Sequence, residues 1–207
     1  MKNLTIIDAA DHSDIADWLE RRLSDALAAD PGPVAINVPG GSTPFPVMEL
    51  LAQRNLDWAR LVIWPGDDRV VPPDHEASNE GKIRAIFEPV GAEVATLSVM
   101  ERVPGFALSW LGMGPDGHVA SLFPNTDPRL DTSESIVRLT PDPLPSHAPF
   151  DRVSLTLPAL LNTRELLFTL GGSADKRTVF EAAAAGENDL PIARLLGAAQ
   201  QKVTCFL

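Results

Sequence analysis

The chain has 207 residues, 44% of them hydrophobic, which is enough to bury one substantial core, and it is read as a single α/β domain spanning residues 1–207. Its formal net charge of -11 excludes the basic stripe that extended nucleic-acid binding requires, and its single cysteine excludes an internal disulfide framework or a structural zinc cluster. No stretch reaches the about 18 consecutive apolar residues of a membrane span, and no apolar run of the roughly 7–15 residues of a leader follows Lys2, so the expectation is a soluble cytoplasmic protein with no membrane partner.

Leu4 to Asp8 reads as a short strand. Ser13 is the expected cap of a helix with Asp14 and Asp17 in its first turn, because Ile15, Trp18, Leu19, Leu23, Ala26 and Leu27 recur at helical spacing. Asp30-Pro31-Gly32-Pro33 ends that helix, and Val34 to Val38 forms the next strand. The strand runs into Pro39-Gly40-Gly41-Ser42-Thr43-Pro44, after which Phe45, Val47, Met48, Leu50 and Leu51 resume a helical pattern. Glycines, two hydroxyls and a proline near the first helical position suit a loop that cradles an anion at a helix N-terminus. The same residues suit an ordinary strand-to-helix turn capped by Thr43, and no lysine stands where a Walker A loop needs one.

Leu61 to Trp64 is another apolar strand, ending in Pro65-Gly66-Asp67-Asp68-Arg69. Two carboxylates and a guanidinium at a strand tip are either an internal ion-pair cluster or a polar clamp on a substrate. His75 falls in the following loop among Pro, Asp and Glu and is read as a loop residue. Ser78-Asn79 can cap a helix bearing Ile83, Ile86 and Phe87, and Val94 to Ser98 is a further short strand.

Phe106 to Leu111 is a buried strand that delivers the chain to Gly112-Met113-Gly114-Pro115-Asp116-Gly117-His118. Three glycines let the backbone turn tightly and approach a ligand. His118, presented on such a loop, is a natural general acid or base, since histidine titrates nearest neutrality. The letters also satisfy G-x-G-x-x-G, but the motif lies in mid-chain, Pro115 interrupts it and Pro124 ends any helix soon after, against a dinucleotide site.

Beyond Pro124, the prolines at 128, 141, 143, 145 and 149 mark a long surface loop, with one strand near Ile136 to Leu139 and with His147 read as exposed. Asp151 to Leu157 restores a period-two strand, Pro158 to Asn162 is a brief helical turn, and Leu166 to Leu170 is strand again. Gly171-Gly172-Ser173-Ala174-Asp175-Lys176 opens an alanine-rich helix. Lys176 in its first turn opposes the helix dipole, which hints that an anion is held there. A small helix near Ile192 to Leu196 and a final strand, Val203 to Phe206, complete the chain, with Cys205 as core.

Strands that alternate with helices imply a mostly parallel sheet covered by helices on both faces. Ligands of such sheets bind outside the carboxyl ends of the strands. The loops Gly40 to Thr43, Asp67 to Arg69, Gly112 to His118 and Gly171 to Lys176 all follow strands and can therefore share one crevice.

In this order, PGGSTP, GDDRVVPPDHEASN, LGMGPDGHVASLFP, DRVSLTLPALLN and GGSADK closely resemble the motif series of the 6-phosphogluconolactonases, within the larger group that includes glucosamine-6-phosphate deaminases. The resemblance spans roughly Val34 to Leu196. It implies a Rossmann-like three-layer α/β fold without a nucleotide, hydrolysis of 6-phosphoglucono-1,5-lactone in the oxidative pentose phosphate pathway, and no metal or organic cofactor. It further implies His118 as the catalytic group acting on water, with Asp116 orienting it, Arg69 contacting the substrate and Asp67 matching the family's first acid. Arg152 and Lys176 match the positions expected to hold the 6-phosphate, together with Gly40, Gly41, Ser42 and Thr43. The only partner implied is the small sugar-phosphate lactone, and the oligomeric state stays open, a monomer included.

Direct attack by water is the favoured route, because no Gly-x-Ser-x-Gly elbow is present and Cys205 has no evident partner. Asp68 stands where the family usually has Glu, and Ala107 where an acid is common. The deaminase/isomerase branch usually carries Phe-Asn-Glu after the Asp-Gly-His element, whereas this chain has Ser121-Leu122-Phe123-Pro124. A non-catalytic sugar-phosphate sensor on the same fold is the reading from another class.

Overall fold

The computed structural model describes residues 2–145 and 148–207, so His147 lies outside the described residues. In chain order the elements are β1 (Leu4–Ile7), α1 (His12–Ala29), β2 (Val34–Val38), α2 (Pro44–Leu51), β3 (Leu61–Pro65), β4 (Asp67–Arg69), α3 (Asn79–Phe87) and β5 (Glu93–Val94). They continue with β6 (Leu108–Leu111), β7 (Ile136–Leu139), β8 (Arg152–Leu155), α4 (Leu157–Leu161), β9 (Glu165–Thr169), α5 (Ala174–Ala185), α6 (Pro191–Ala198) and β10 (Lys202–Phe206).

Seven strands form a sheet in the order β1-β10-β9-β6-β2-β3-β5, and every pairing in it is parallel. From β2 the chain winds outward through β3 to β5; from β6, on the other side of β2, it winds outward through β9 to β10. The direction of winding therefore reverses between β2 and β6. At such a switch point the loops leaving the two strands diverge to opposite faces and leave a crevice at their carboxyl ends.

Both faces of the sheet are covered, as buried strands of a parallel sheet require. Leu167, Trp110 and Phe206 join the core built with α1, α2 and α3, while Leu166, Phe168, Val203 and Cys205 join the one built with α4, α5 and α6. Neighbouring residues of one strand thus feed opposite cores, the period of two that a pleated strand imposes. Cys205 is fully buried, and burial pushes its thiol up to about 12, which leaves it an inert core residue.

The segment read as a loop, Asp67 to Arg69, is instead the edge strand of a second, antiparallel sheet in the order β4-β8-β7. Asp67 pairs with Ser154, Asp68 with Val153 and Arg69 with Arg152. The helix cap also differs from expectation. α1 begins one residue before Ser13, capped by Asp11, whose carboxylate accepts from the Asp14 N–H at 2.9 Å while the Asp14 carboxylate accepts from the Asp11 N–H at 3.0 Å. This reciprocal box satisfies two orphan donors; a Ser13 cap would have Ala16 at the answering position and satisfy one. The strand expected at Val94 to Ser98 is only Glu93–Val94, because Thr96 is drawn off to Glu80 at 2.7 Å and Arg84 at 3.0 Å on α3.

Candidate active site

A cavity of about 270 Å³ opens at the switch point. The loops that follow β2 and β6 form two of its walls, through Pro39 to Thr43 and through Gly112, Met113, Gly114 and His118. Asp67, Arg69 and Asn79 close a third side; Thr169 at the end of β9 and Lys176 on α5 close the fourth.

The β2 wall is an uncapped helix start. Thr43 occupies the cap position of α2 yet makes no side-chain cap hydrogen bond, whereas Asp11, Ser78, Thr156 and Ser173 cap α1, α3, α4 and α5 with theirs. Pro44 and Pro46 remove two N–H groups from the first turn. What this wall turns to the cavity is therefore the loop itself, with Ser42 and Thr43 and a helix start free of any side-chain cap. Gly40 is obligatory in this packing, because a Cβ on it would lie 2.2 Å from the Asn79 amide. Gly171, at φ 71°, brings the loop after β9 against Thr43, where a Cβ would meet the Thr43 side chain at 2.9 Å.

Lys176 reaches the cavity from the first turn of α5. Burial pushes its pKa down, and no carboxylate pairs with it among the described residues. A half-buried ammonium without an anionic partner is stabilised by a ligand anion.

On the β6 wall, His118 Nδ1 and Asp116 Oδ1 are 2.6 Å apart. Partial burial pushes the Asp116 carboxyl up, but the hydrogen bond and charge of His118 outweigh that and hold it below the usual range. An ionised carboxylate can only accept, so Nδ1 carries the proton and Nε2 is left as the basic nitrogen. The turn is closed by the Gly117 N–H on the Gly114 carbonyl and the Gly114 N–H on the His118 carbonyl, each at 3.0 Å. Gly117 adopts φ 78°, and the Phe123 ring packs 4.5 Å from the imidazole.

On the third wall, Asp68 is a buried brace. Its Oδ1 accepts from the Asn79 N–H at 2.6 Å and its Oδ2 from Ser78 Oγ at 2.9 Å and the Glu80 N–H at 3.0 Å, which fixes β4 to the start of α3. Arg69 Nη1 donates to the Ala77 carbonyl at 2.7 Å. Asp67 accepts a hydrogen bond from Ser121 Oγ, and its carbonyl accepts one from Asn79 Nδ2 at 3.1 Å. Burial raises the Asp67 pKa, against the Ser121 hydroxyl and the Arg69 charge, with Asp68 adding to the rise.

A raised carboxylate pKa weakens the fold as pH climbs from the ordinary aspartate value through the folded-state value, because the native state holds the proton that the unfolded chain releases. Asp67→Asn removes that penalty while its amide oxygen still accepts from Ser121. The expected outcome is a chain at least as stable as wild type at neutral pH, read from urea midpoints at several pH values.

Of the expected site residues, the structure brings Gly40, Gly41, Ser42, Thr43, Asp67, Arg69, His118 and Lys176 to one cavity, with Asp116 behind His118. Arg152 is not on the cavity wall. It is 2% exposed, its guanidinium donating to the carbonyls of Phe150 and, at 2.8 Å, Ala148, with the Phe123 ring 6.0 Å away. Burial and the facing Arg69 charge both push its pKa down. His75 stays outside too, its Nδ1 accepting from the Ala77 N–H at 3.0 Å. Sequence reasoning assigns no part at the site to Asn79, Ser121 or Thr169. The one available signal is positional: Thr169 is a polar residue at the carboxyl end of an apolar strand.

A parallel sheet with a histidine–carboxylate pair, a lysine and an uncapped helix start at its switch point defines a Rossmann-like α/β enzyme with a polar crevice at the strand ends. A family model described as glucosamine-6-phosphate isomerases/6-phosphogluconolactonase matches residues 8–90 and 90–205, and the chain belongs to that family. A 6-phosphogluconolactonase of Neisseria meningitidis serogroup A is 33% identical, the match covering 93% of this chain and 91% of the relative. The crystal structure of a 6-phosphogluconolactonase from Shewanella baltica superposes with a TM-score of 0.82 at 26% identity, covering 99% of this chain and 97% of that one. The Thermotoga maritima 6-phosphogluconolactonase gives a TM-score of 0.82 at 24% identity, with 98% of each chain covered. No helix among the described residues is long and apolar enough to cross a membrane.

Proposed function

We propose that this chain hydrolyses 6-phosphoglucono-1,5-lactone to 6-phosphogluconate in the oxidative pentose phosphate pathway, as a cytoplasmic carboxylic ester hydrolase. The observation that carries the reading is the Asp116–His118 pair facing a cavity that also holds Lys176 and the uncapped start of α2. Such a cavity joins an acid–base group to an anion site across the width of one small molecule.

In the mechanism this supports, Nε2 of His118 takes a proton from water as its oxygen bonds to the lactone carbonyl carbon. The oxyanion is met by backbone N–H groups of the loop after β6 other than those of Gly114 and Gly117, which close its turn. The tetrahedral intermediate then expels the ring oxygen, which takes the proton back from His118, and the carboxylic acid formed ionises. Asp116 holds the imidazole orientation and stabilises its protonated form. Lys176 and Gly40 to Thr43 hold the phosphate, and Arg69 and Asp67 contact the polyhydroxyl chain. Arg152 acts from behind, holding the segment Ala148 to Phe150 in place. No residue of the mechanism calls for a metal or organic cofactor.

The test is hydrolysis of freshly generated lactone, corrected for spontaneous ring opening, with glucosamine 6-phosphate run in parallel. Turnover of the lactone alone is expected. Turnover of the amino sugar alone would move the chain to the deaminase branch, and binding of 6-phosphogluconate without turnover would make it a sensor. Phe123 stands where the deaminase branch places its glutamate, and it offers the imidazole a ring face and no carboxylate.

Lys176→Met should weaken 6-phosphogluconate by roughly 10- to 100-fold, the range of a hydrogen bond to a charged group, with the loss falling on KM more than on kcat. Because burial lowers the Lys176 pKa, wild-type affinity should begin to fall at a lower pH than an ordinary lysine would dictate. Calorimetric titration at several pH values reads both effects.

A further inference from the structure

Thr169 is the last residue of β9, 3% exposed, and its side chain reaches the cavity wall on the side of Lys176. Its hydroxyl is engaged from behind. Trp110 Nε1 donates to Thr169 Oγ1 at 3.0 Å. The strands explain why. Trp110 is in register with Leu167 on the adjacent parallel strand, and Thr169, two residues further on, shares the Leu167 face, so the indole reaches forward to it.

An indole N–H can only donate, so it occupies an acceptor site of the threonine oxygen and leaves the hydroxyl hydrogen without a use. Among the described residues nothing accepts that hydrogen. The group is thus a buried hydroxyl held from behind, on a residue that lines the same cavity as Lys176, Ser42 and Thr43. A fixed donor suits a ligand atom that only accepts. A phosphoryl oxygen is such an atom, whereas a sugar hydroxyl both donates and accepts and gains little from a donor locked in one sense.

We propose that Thr169 is a further substrate-binding residue, donating its hydroxyl hydrogen to the phosphoryl group, and that Trp110, which lies behind Thr169 and off the cavity wall, is the positioning residue that orients it. This rests on the reading of the cavity as a sugar-phosphate site. The competing explanation is that Thr169 merely satisfies a buried indole, since buried tryptophans need an acceptor.

The two separate in a set of variants titrated with 6-phosphogluconate, glucosamine 6-phosphate and unphosphorylated gluconate, beside thermal melts. Thr169→Val should weaken whichever phosphorylated ligand the wild type binds by about tenfold, the lower range of a charge-assisted bond, and raise KM more than it lowers kcat. Gluconate binding should change far less. Thr169→Ser should recover most of the affinity. Thr169→Val also strands the indole N–H and should lower the melting temperature, so the double variant with Trp110→Phe is informative: stability should return while the affinity loss stays.

If the double variant regains affinity along with stability, or if Thr169→Val leaves phosphoryl ligands unaffected, the hydroxyl is only packing and the proposal falls. A wild type that binds 6-phosphogluconate without hydrolysing the lactone, and loses that binding in Thr169→Val, sinks the hydrolase reading and leaves this one standing. A wild type that binds no phosphorylated ligand overturns both.

Discussion

Alanine at position 118 is expected to lower kcat for the lactone by about 100-fold or more while 6-phosphogluconate still binds, the usual scale for loss of a positioned acid–base group. The argument starts from proton bookkeeping. Water attacks an ester slowly at neutral pH because a proton must leave it in the transition state and another must reach the departing oxygen. Nε2 of His118 can do both in turn, since Nδ1 is already committed to Asp116 at 2.6 Å. The phosphate groups lie elsewhere on the wall, so binding should survive. Asp116→Asn should fall between the two, because an amide can present its NH2 to Nδ1 and stabilise the wrong tautomer. The hydrogen bond that lowers the Asp116 pKa keeps the carboxylate ionised into mildly acidic solution, so protonation of Asp116 should not set the acid limb of wild-type activity. Single-turnover rates with titrated binding decide the matter. A variant that loses binding and rate together would show that His118 holds the substrate instead of moving protons.

Much of this was legible because the relevant signals are local. Apolar runs ending in Gly, Asp or Lys mark strand ends, and a parallel sheet sends all its strand ends to one edge, so the loops at Gly40, Asp67, Gly112 and Gly171 could be grouped before any contact was known. The adjacency of β2 and β6 was not legible. It depends on pairing Ile36 with Leu108 across some seventy positions, and nothing in either strand alone specifies that partner. The same limit explains Arg152. Alternation along Arg152–Leu155 says which residues share a face, but whether a long guanidinium turns to a ligand or to carbonyls is decided by the backbone of Ala148 and Phe150. Asp67 to Arg69 hid its strand for another reason: three charged residues carry no hydrophobic period, and only pairing with Arg152 to Ser154 makes them extended. Ser121 lies inside LGMGPDGHVASLFP, yet its part appears only when Asp67 arrives from 54 residues away.

Gly114→Ala is the second large effect, and it tests whether the geometry at His118, and not merely its presence, supports turnover. Gly112, Gly114 and Gly117 look alike in sequence but differ in space. Gly117 needs its positive φ of 78°, and so a substitution there strains the backbone. Gly114 is not among the glycines with positive φ, so alanine is permitted by its backbone. The conflict is purely steric: the new methyl would lie 2.1 Å from His118 Cε1, 2.2 Å from Nδ1 and 2.6 Å from Asp116 Oδ1. Carbon atoms in contact sit about 3.5–4.0 Å apart, so the ring must move by more than about 1 Å or leave its carboxylate. A displacement of that size from reactive geometry is worth about 100-fold in rate. The loss should therefore approach that of His118→Ala, although both catalytic side chains are still present. Little stability should go with it, since the pair is partly exposed and the displaced ring can move toward solvent. Gly112→Ala is the matched comparison: its methyl would meet only Pro39 Cβ at 3.9 Å, an ordinary contact, and its loss should be much smaller. Rates for the two variants side by side, with melting curves to show that both fold, give the answer. Turnover in Gly114→Ala within about threefold of wild type would mean that a displaced imidazole suffices, and the Asp116–His118 contact would then be a feature of the resting loop with no part in the chemistry.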